Sequence, residues 1–248
     1  KQIDLRGKPY IAILGSDIQT TVIIPSGSGT FDQLILGPTN EVSFLTLKGN
    51  NVAGYSAVSA PDVGQTVGSD FAQIHKISIY DYDYGIKVCA DTANSTFYGE
   101  YVDINGSFSY GVYVSSSNNF TSLANVENYY LFPSNSSGIG NYAVGPSSSV
   151  SLYTGLFKGD NTAGSTAIKI EQGASLEAAG LDMQRWDYGV RVPAASPAPD
   201  FRIVGSMIHE SNVYDFDVLN SSTRGRFQGV SNHSKINNNS PDFYWNFL

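Results

Sequence analysis

SLEAAGLDMQRWDYGVRV (Ser175–Val192), FRIVGSMIHESNVYDFDV (Phe201–Val218) and RFQGV (Arg226–Val230) are three passes over one pattern. Each of the first two holds a short strand ending near Gly, a polar or aromatic corner and a second short strand. Gly180, Gly205 and Gly229 mark the same point of each pass, 25 and 24 residues apart. Strand-length apolar runs that repeat at such a period are the signature of a solenoid, in which each unit buries its apolar face on its neighbours.

Working outward, the second strand recurs as YGIKV at Tyr84, YGVYV at Tyr110, YAVG at Tyr142, TAIKI at Thr166, YGVRV at Tyr188 and DFDV at Asp215. Its anchors read as Gly85, Gly111, Ala143, Ala167, Gly189 and Phe216, at spacings of 26, 32, 24, 22 and 27. The first strand reads as Gly99, Gly155, Gly180, Gly205 and Gly229, with Asn125 in the vacant slot and Lys76 before them. The alternation Ile86/Val88, Val112/Val114, Ile168/Ile170 and Val190/Val192 sends every second side chain inward. Strands must keep their length to pair with the layer below, whereas solvent-facing corners vary freely.

This pattern resembles right-handed parallel β-helix proteins of the pectin-lyase-like class over most of residues 10–235. The resemblance implies an all-β coil of about eight to ten layers, and extends to tailspike and adhesin relatives, which are often trimers. The repeat style carries it, not a diagnostic motif. An array of immunoglobulin-like sandwiches is the structural alternative, but it requires no in-register units of this length.

Residues 1–70 form irregular N-terminal layers. Tyr10–Leu14, Thr21–Ile24, Gln33–Leu36 and Val42–Leu47 read as strands bounded by Gly, Pro, Ser or Asn, and Asn51–Ser69 as a loop leaving the body. Residues 71–236 carry the regular layers. Residues 237–248, NNNSPDFYWNFL, are expected to cap the coil with aromatics, since a β-helix exposes open strand edges at its ends. The chain opens in a strand-like pattern without Met and is read as a piece of a longer protein.

Composition excludes several functions. Fourteen Lys and Arg stand against 22 Asp and Glu, a net charge of −8, with no basic cluster to neutralise phosphates. Nucleic acid and membrane insertion are therefore not expected. The single cysteine, Cys89, sits in a strand and permits no intrachain disulfide. No phosphate loop, nucleophile elbow or HExxH motif is present. No cofactor and no metal are expected.

The corner before the second strand gathers aromatics and acids. Tyr82, Tyr84, Tyr110, Trp186, Tyr188 and Tyr214 are the candidate ligand-binding residues, forming with Tyr142 a ridge along the long axis on which sugar rings could stack. Interlayer stacking that only stabilises the coil is the plainer reading of the same ridge. Arg185, Asp187, Glu210 and Asp215 are the candidate catalytic group, since a glycosidase needs two carboxylates and a lyase a cation as base. Asp81, Asp83, Asp103 and Asp182 adjoin the same ridge. His209 and His233 each follow a Gly marker by four residues and are expected to stack in neighbouring layers.

The favoured function is an extracellular, cell-surface or virion-surface scaffold, a fibre, tailspike-like or adhesin segment that binds a polysaccharide or cell-surface glycan; the resemblance implies a homotrimer. A polysaccharide lyase or glycoside hydrolase is the first alternative. A purely structural module is the second.

Overall fold

The computed structural model describes residues 2–247 apart from 9, 26–30, 62–71, 118–119, 135–136, 196 and 232–234. It is the expected parallel β-helix, built from two sheets that the chain visits alternately. The short-strand sheet holds ten strands: β1 (Ile3–Asp4), β4 (Leu34–Ile35), β6 (Ser56–Pro61), β8 (Tyr84–Ala90), β10 (Tyr110–Ser116), β12 (Ile139–Val144), β14 (Thr166–Glu171), β16 (Tyr188–Val192), β18 (Tyr214–Val218) and β20 (Ile236–Asn238). The long-strand sheet runs β2 (Ala12–Leu14), β5 (Glu41–Lys48), β7 (Ala72–Tyr80), β9 (Ser95–Gly106), β11 (Ser122–Pro133), β13 (Ser148–Lys158), β15 (Ser175–Gln184), β17 (Asp200–His209), β19 (Arg224–Ser231) and β21 (Phe243–Phe247). β3 (Val22–Ile23) pairs with the far end of β5. All pairings are parallel.

The interior is filled by columns of like residues. One runs Val42, Ile74, Gly99, Val126, Leu152, Ala178, Ile203, Phe227 and Trp245 through the long-strand sheet. A middle layer contributes Phe97, Val102, Ile104, Phe108, Val112 and Val114, all buried. Each such side chain contributes roughly 1.5–3 kcal/mol on burial. Since one layer's apolar face is covered by the next, the core is continuous along the axis. At the C-terminal end, Phe243 and Trp245 of β21 lie 4.8 Å from Phe201 and 4.8 Å from Phe216 respectively, so the last aromatics extend the core.

A corner inside the long-strand sheet went unread in the sequence. Phe44, Lys76, Tyr101, Asn128, Thr154, Gly180 and Gly205 all have φ between 50° and 67° and stand in one column, layer upon layer. A single left-handed residue turns an extended strand sharply without breaking its pairing. Each strand of this sheet from β5 to β17 therefore bends into two faces. For a residue with a Cβ this conformation costs roughly 1–2 kcal/mol, and only Gly, Asn and Asp visit it routinely.

This column re-sorts the sequence markers. Gly180 and Gly205 share a slot, and Lys76 belongs to it as expected. Asn128 fills the vacant slot, not Asn125. Gly229 lies one step on, opposite Ser206, because a bulge at Gly205 shifts the register. Gly155 lies opposite Leu181, and Gly99 opposite Val126. In the short-strand sheet Gly140, not Ala143, faces Gly111, and Asp215, not Phe216, faces Gly189. The true requirement there is close approach: a Cβ on Gly111 would come within 2.4 Å of the Gly140 carbonyl. The Asn51–Ser69 expectation is also corrected. It contains β6, paired with β4 and β8. Its Ala- and Ser-rich strand carries little of the branched or aromatic signal that marks a strand.

Candidate functional site

The tyrosine ridge exists in two segments. Tyr84 stacks on Tyr110 at 4.9 Å and 18°, and Tyr110 on Tyr142 at 5.6 Å and 15°. Tyr113 sets its edge against all three at 5.3–5.5 Å. Lys87 sits over Tyr84 at 5.0 Å and Lys169 over Tyr142 at 4.6 Å. The Tyr142 hydroxyl donates to Glu171. Burial pushes the Tyr84 phenol up to about 12. Beyond this segment the register positions hold Ile139 and Thr166, and the ridge resumes with Tyr188 and Tyr214 at 6.3 Å, where Arg191 lies 4.3 Å from the Tyr188 ring. The ring faces are thus largely occupied by one another and by cations. A stack of this kind rigidifies the outer surface of the short-strand sheet.

Tyr82 and Trp186, with Phe108 in the layer after Tyr82, turn inward and are buried. The Trp186 indole donates to the Phe157 carbonyl at 2.9 Å. These rings are corner plugs and present no face to a ligand.

The candidate catalytic group is divided between inside and outside. Asp187 is buried. Its Oδ2 accepts from the Gly164 N–H at 2.7 Å, and its carbonyl accepts from Val213 and Tyr214. Asp215 is fully buried and accepts from the Ser231 hydroxyl at 3.0 Å. Glu210 is solvated, with its side chain 60% exposed, and lies 3.9 Å from His209 Nδ1. Arg185 is half-buried with φ of 61° at the same bend as Glu210. His209 pairs with Asp182 at 2.9 Å. His233 lies outside the described residues. Among the described residues no three His, Cys, Asp or Glu side chains are grouped to hold a metal ion, and no helix is long and apolar enough to cross a membrane.

An unread repeat explains the buried acid. LKGNNVAGYSAV (47–58) followed by YDYDYGI (80–86) matches FKGDNTAGSTAI (157–168) followed by QRWDYGV (184–190). The two copies fold alike. Gly54 N–H donates to Asp83 Oδ2 at 2.6 Å, as Gly164 does to Asp187. Asn51 and Asn161 both have positive φ and donate to the Asp81 and Arg185 carbonyls. A Cβ on Gly49 would meet the Tyr82 ring at 2.9 Å, and one on Gly159 the Trp186 ring at 3.1 Å. Asp83 and Asp187 tie the loop of one layer to the corner of the next.

The open concavity lies elsewhere, on the outer face of β5, β7, β9 and β11 beyond the left-handed column. Two cavities of about 510 and 710 Å³ adjoin there and share Ile18, Ser78 and Asp103. The floor carries the in-register column Thr46, Ser78, Asp103 and Tyr130, one layer apart at about 4.8 Å. Phe44, Lys76 and Tyr101 rise from the bend beside it. The wall is the segment Ser16–Ile24. It is held by the Gly15 N–H on the Ser43 carbonyl at 2.8 Å and by the Thr46 hydroxyl on the Ile18 carbonyl. Gly15 is required there, because a Cβ would strike the Phe44 carbonyl at 2.0 Å.

The groove's chemistry is aromatic and polar. Phe44, Tyr101 and Tyr130 are 39%, 47% and 38% exposed. The Lys76 ammonium lies 5.1 Å from the Phe44 ring and 5.9 Å from the Tyr101 ring. Burial raises the Asp103 carboxyl above its usual range, only partly offset by the Ser78 hydroxyl at 3.4 Å. Asp17, on the wall, accepts from the Gln19 N–H at 2.6 Å. Asp103, expected beside the tyrosine ridge, lies instead on the floor of this groove. Phe44, Tyr101 and Tyr130 gave no signal, because nothing in a strand pattern announces a bend.

No family model matches the chain, and no curated protein matches it. Among solved structures it is similar to two forms of the catalytic domain of a GH87 alpha-1,3-glucanase in complex with nigerose, each at 12% identity and a TM-score of 0.41. The match covers 99% of this chain and 61% of the other, so the chain spans about three fifths of that chain's length. The fold of this chain is read from its own strand pairing.

Proposed function

We propose that the chain is a rigid surface scaffold that binds a polysaccharide or cell-surface glycan in the groove between the Ser16–Ile24 wall and β5–β11. It would serve as a fibre, tailspike-like or adhesin segment, extracellular or on a virion. One observation carries the glycan reading. Phe44, Lys76 and Tyr101 occupy left-handed positions where Gly or Asn is less strained, and all three project into the groove. Further along the column, Asn128, Gly180 and Gly205 take the less strained choice, with Thr154 the exception. Strained positions held by large exposed side chains point to a functional site. Aromatic faces suit the C–H faces of sugar rings, and Lys48, Lys76, Ser78 and Asp103 offer hydrogen bonds to hydroxyls.

A glycan array probed with the wild type and with the double variant Tyr101→Ala/Tyr130→Ala tests this. Wild-type binding that falls at least tenfold in the double variant is the expected result. Binding unchanged by the substitutions moves the ligand off this groove. No binding by the wild type leaves a structural module. Light scattering at micromolar concentration checks the homotrimer that belongs to the same reading.

A further inference from the structure

We infer that the groove also hydrolyses the glycan it binds, with Asp103 as general acid and Asp17 as general base. This rests on the glycan reading of the same groove. The two carboxyl groups line one cavity from different elements, Asp17 on the N-terminal wall and Asp103 on the sheet floor. Glycoside hydrolysis needs two such groups: one carboxyl group protonates the leaving oxygen while the other activates a water on the far face of the sugar.

Their surroundings separate the roles. Asp103 is half-buried, with Ser78 and Tyr130 opposite it in the neighbouring layers, and its one described hydrogen-bond donor is the Ser78 hydroxyl at a long 3.4 Å. Burial favours its neutral form, as a proton donor requires. Asp17 is exposed, and a backbone N–H 2.6 Å away holds its carboxyl group in place. Asp103 also lies where the two cavities meet, leaving room for sugar on both sides of the scissile bond.

The step balances. Asp103 gives its proton to the glycosidic oxygen as the C–O bond breaks. The oxygen of a water molecule bonds to the anomeric carbon, and that water's proton passes to Asp17. One new reducing end appears per bond cut, and proton exchange with solvent restores both carboxyl groups.

The test uses the full 248-residue chain with a panel of soluble α-glucan, β-glucan, galactan and polygalacturonate. Binding, new reducing ends and unsaturated products are measured in parallel. Hydrolysis by the wild type that falls at least a hundredfold in Asp103→Asn and in Asp17→Asn, with neither variant melting below the wild type, is the expected outcome. The wild-type rate should decline on the alkaline side as Asp103 loses its proton. A bound polysaccharide that yields no reducing ends overturns hydrolysis and leaves the binding reading intact. Unsaturated products overturn it in favour of elimination. Failure to bind any member removes both readings together.

Discussion

The outer surface carries two collections of tyrosines, and they differ in what touches their rings. On the short-strand sheet, Tyr84, Tyr110, Tyr113 and Tyr142 cover one another, with Lys87 and Lys169 over the end rings. On the far face of the long-strand sheet, Phe44, Tyr101 and Tyr130 do not stack on one another; Lys76 lies over the first two, and all three stand beside a wall of chain. The first set follows from register: Tyr84 lies opposite Tyr110 and Tyr113 opposite Tyr142, and the layer spacing brings the two in-register pairs into contact. The second follows from a bend, which splays neighbouring side chains and holds a concavity open. An aromatic ladder in a solenoid is therefore evidence of structure first.

Substitutions can break this comparison. Trp186→Ala, beneath the ridge side, removes a fully buried indole and its hydrogen bond. It should lower unfolding free energy by about 3–5 kcal/mol in urea titrations, without altering glycan affinity under conditions where the variant remains folded. Tyr110→Ala deletes two stacked pairs and should cost roughly 1–3 kcal/mol of stability, again with affinity intact. A weakened affinity there would return the ridge to consideration as the binding surface.

The groove should behave in the opposite way. Tyr101→Ala should leave stability within about 0.5 kcal/mol and weaken glycan binding about tenfold, which is about 1.4 kcal/mol. Lys76→Asn places a residue tolerant of φ near 51° at the bend, and should raise stability by about 0.5–1 kcal/mol while lowering affinity. Asp103→Asn sharpens the contrast through pH. The native pKa of Asp103 is raised, so the folded state holds that proton more tightly than the unfolded one. Stability is therefore lost as pH rises from the ordinary aspartate range through the raised value. The variant should be the more stable protein at neutral pH, with the gain disappearing towards pH 3. Thermal melts at both pH values check this, and a gain independent of pH would refute the burial account.

Much of the coil was legible because its signals are local. Alternation in Ile86/Val88 and Val190/Val192 states which face is inside, and the recurrence of YG before it states that layers stack. What misled was residue identity used as a register marker. YAVG resembles YGVYV, yet Tyr142 lies opposite Tyr113, because register follows carbonyl clearance at Gly111 and Gly140. Trp186 and Asp187 stood out as chemistry in the sequence. In the fold they are a plug and a tie, a role their counterparts Tyr82 and Asp83 repeat more than a hundred residues earlier.

The sequence by itself determined the architecture: parallel layers with apolar columns inside, in a chain of acidic net charge. The period-two pattern and the repeat of about 25 residues are properties of short stretches, and short stretches suffice to specify them. Only the tertiary structure decided where a ligand could lie. The groove joins a wall at residues 16–24 to a floor drawn from four strands as far along as Tyr130. It depends on a left-handed bend that Phe44, Lys76 and Tyr101 adopt against their own preference. Pairing to the layers above and below imposes that conformation, and no local propensity predicts it.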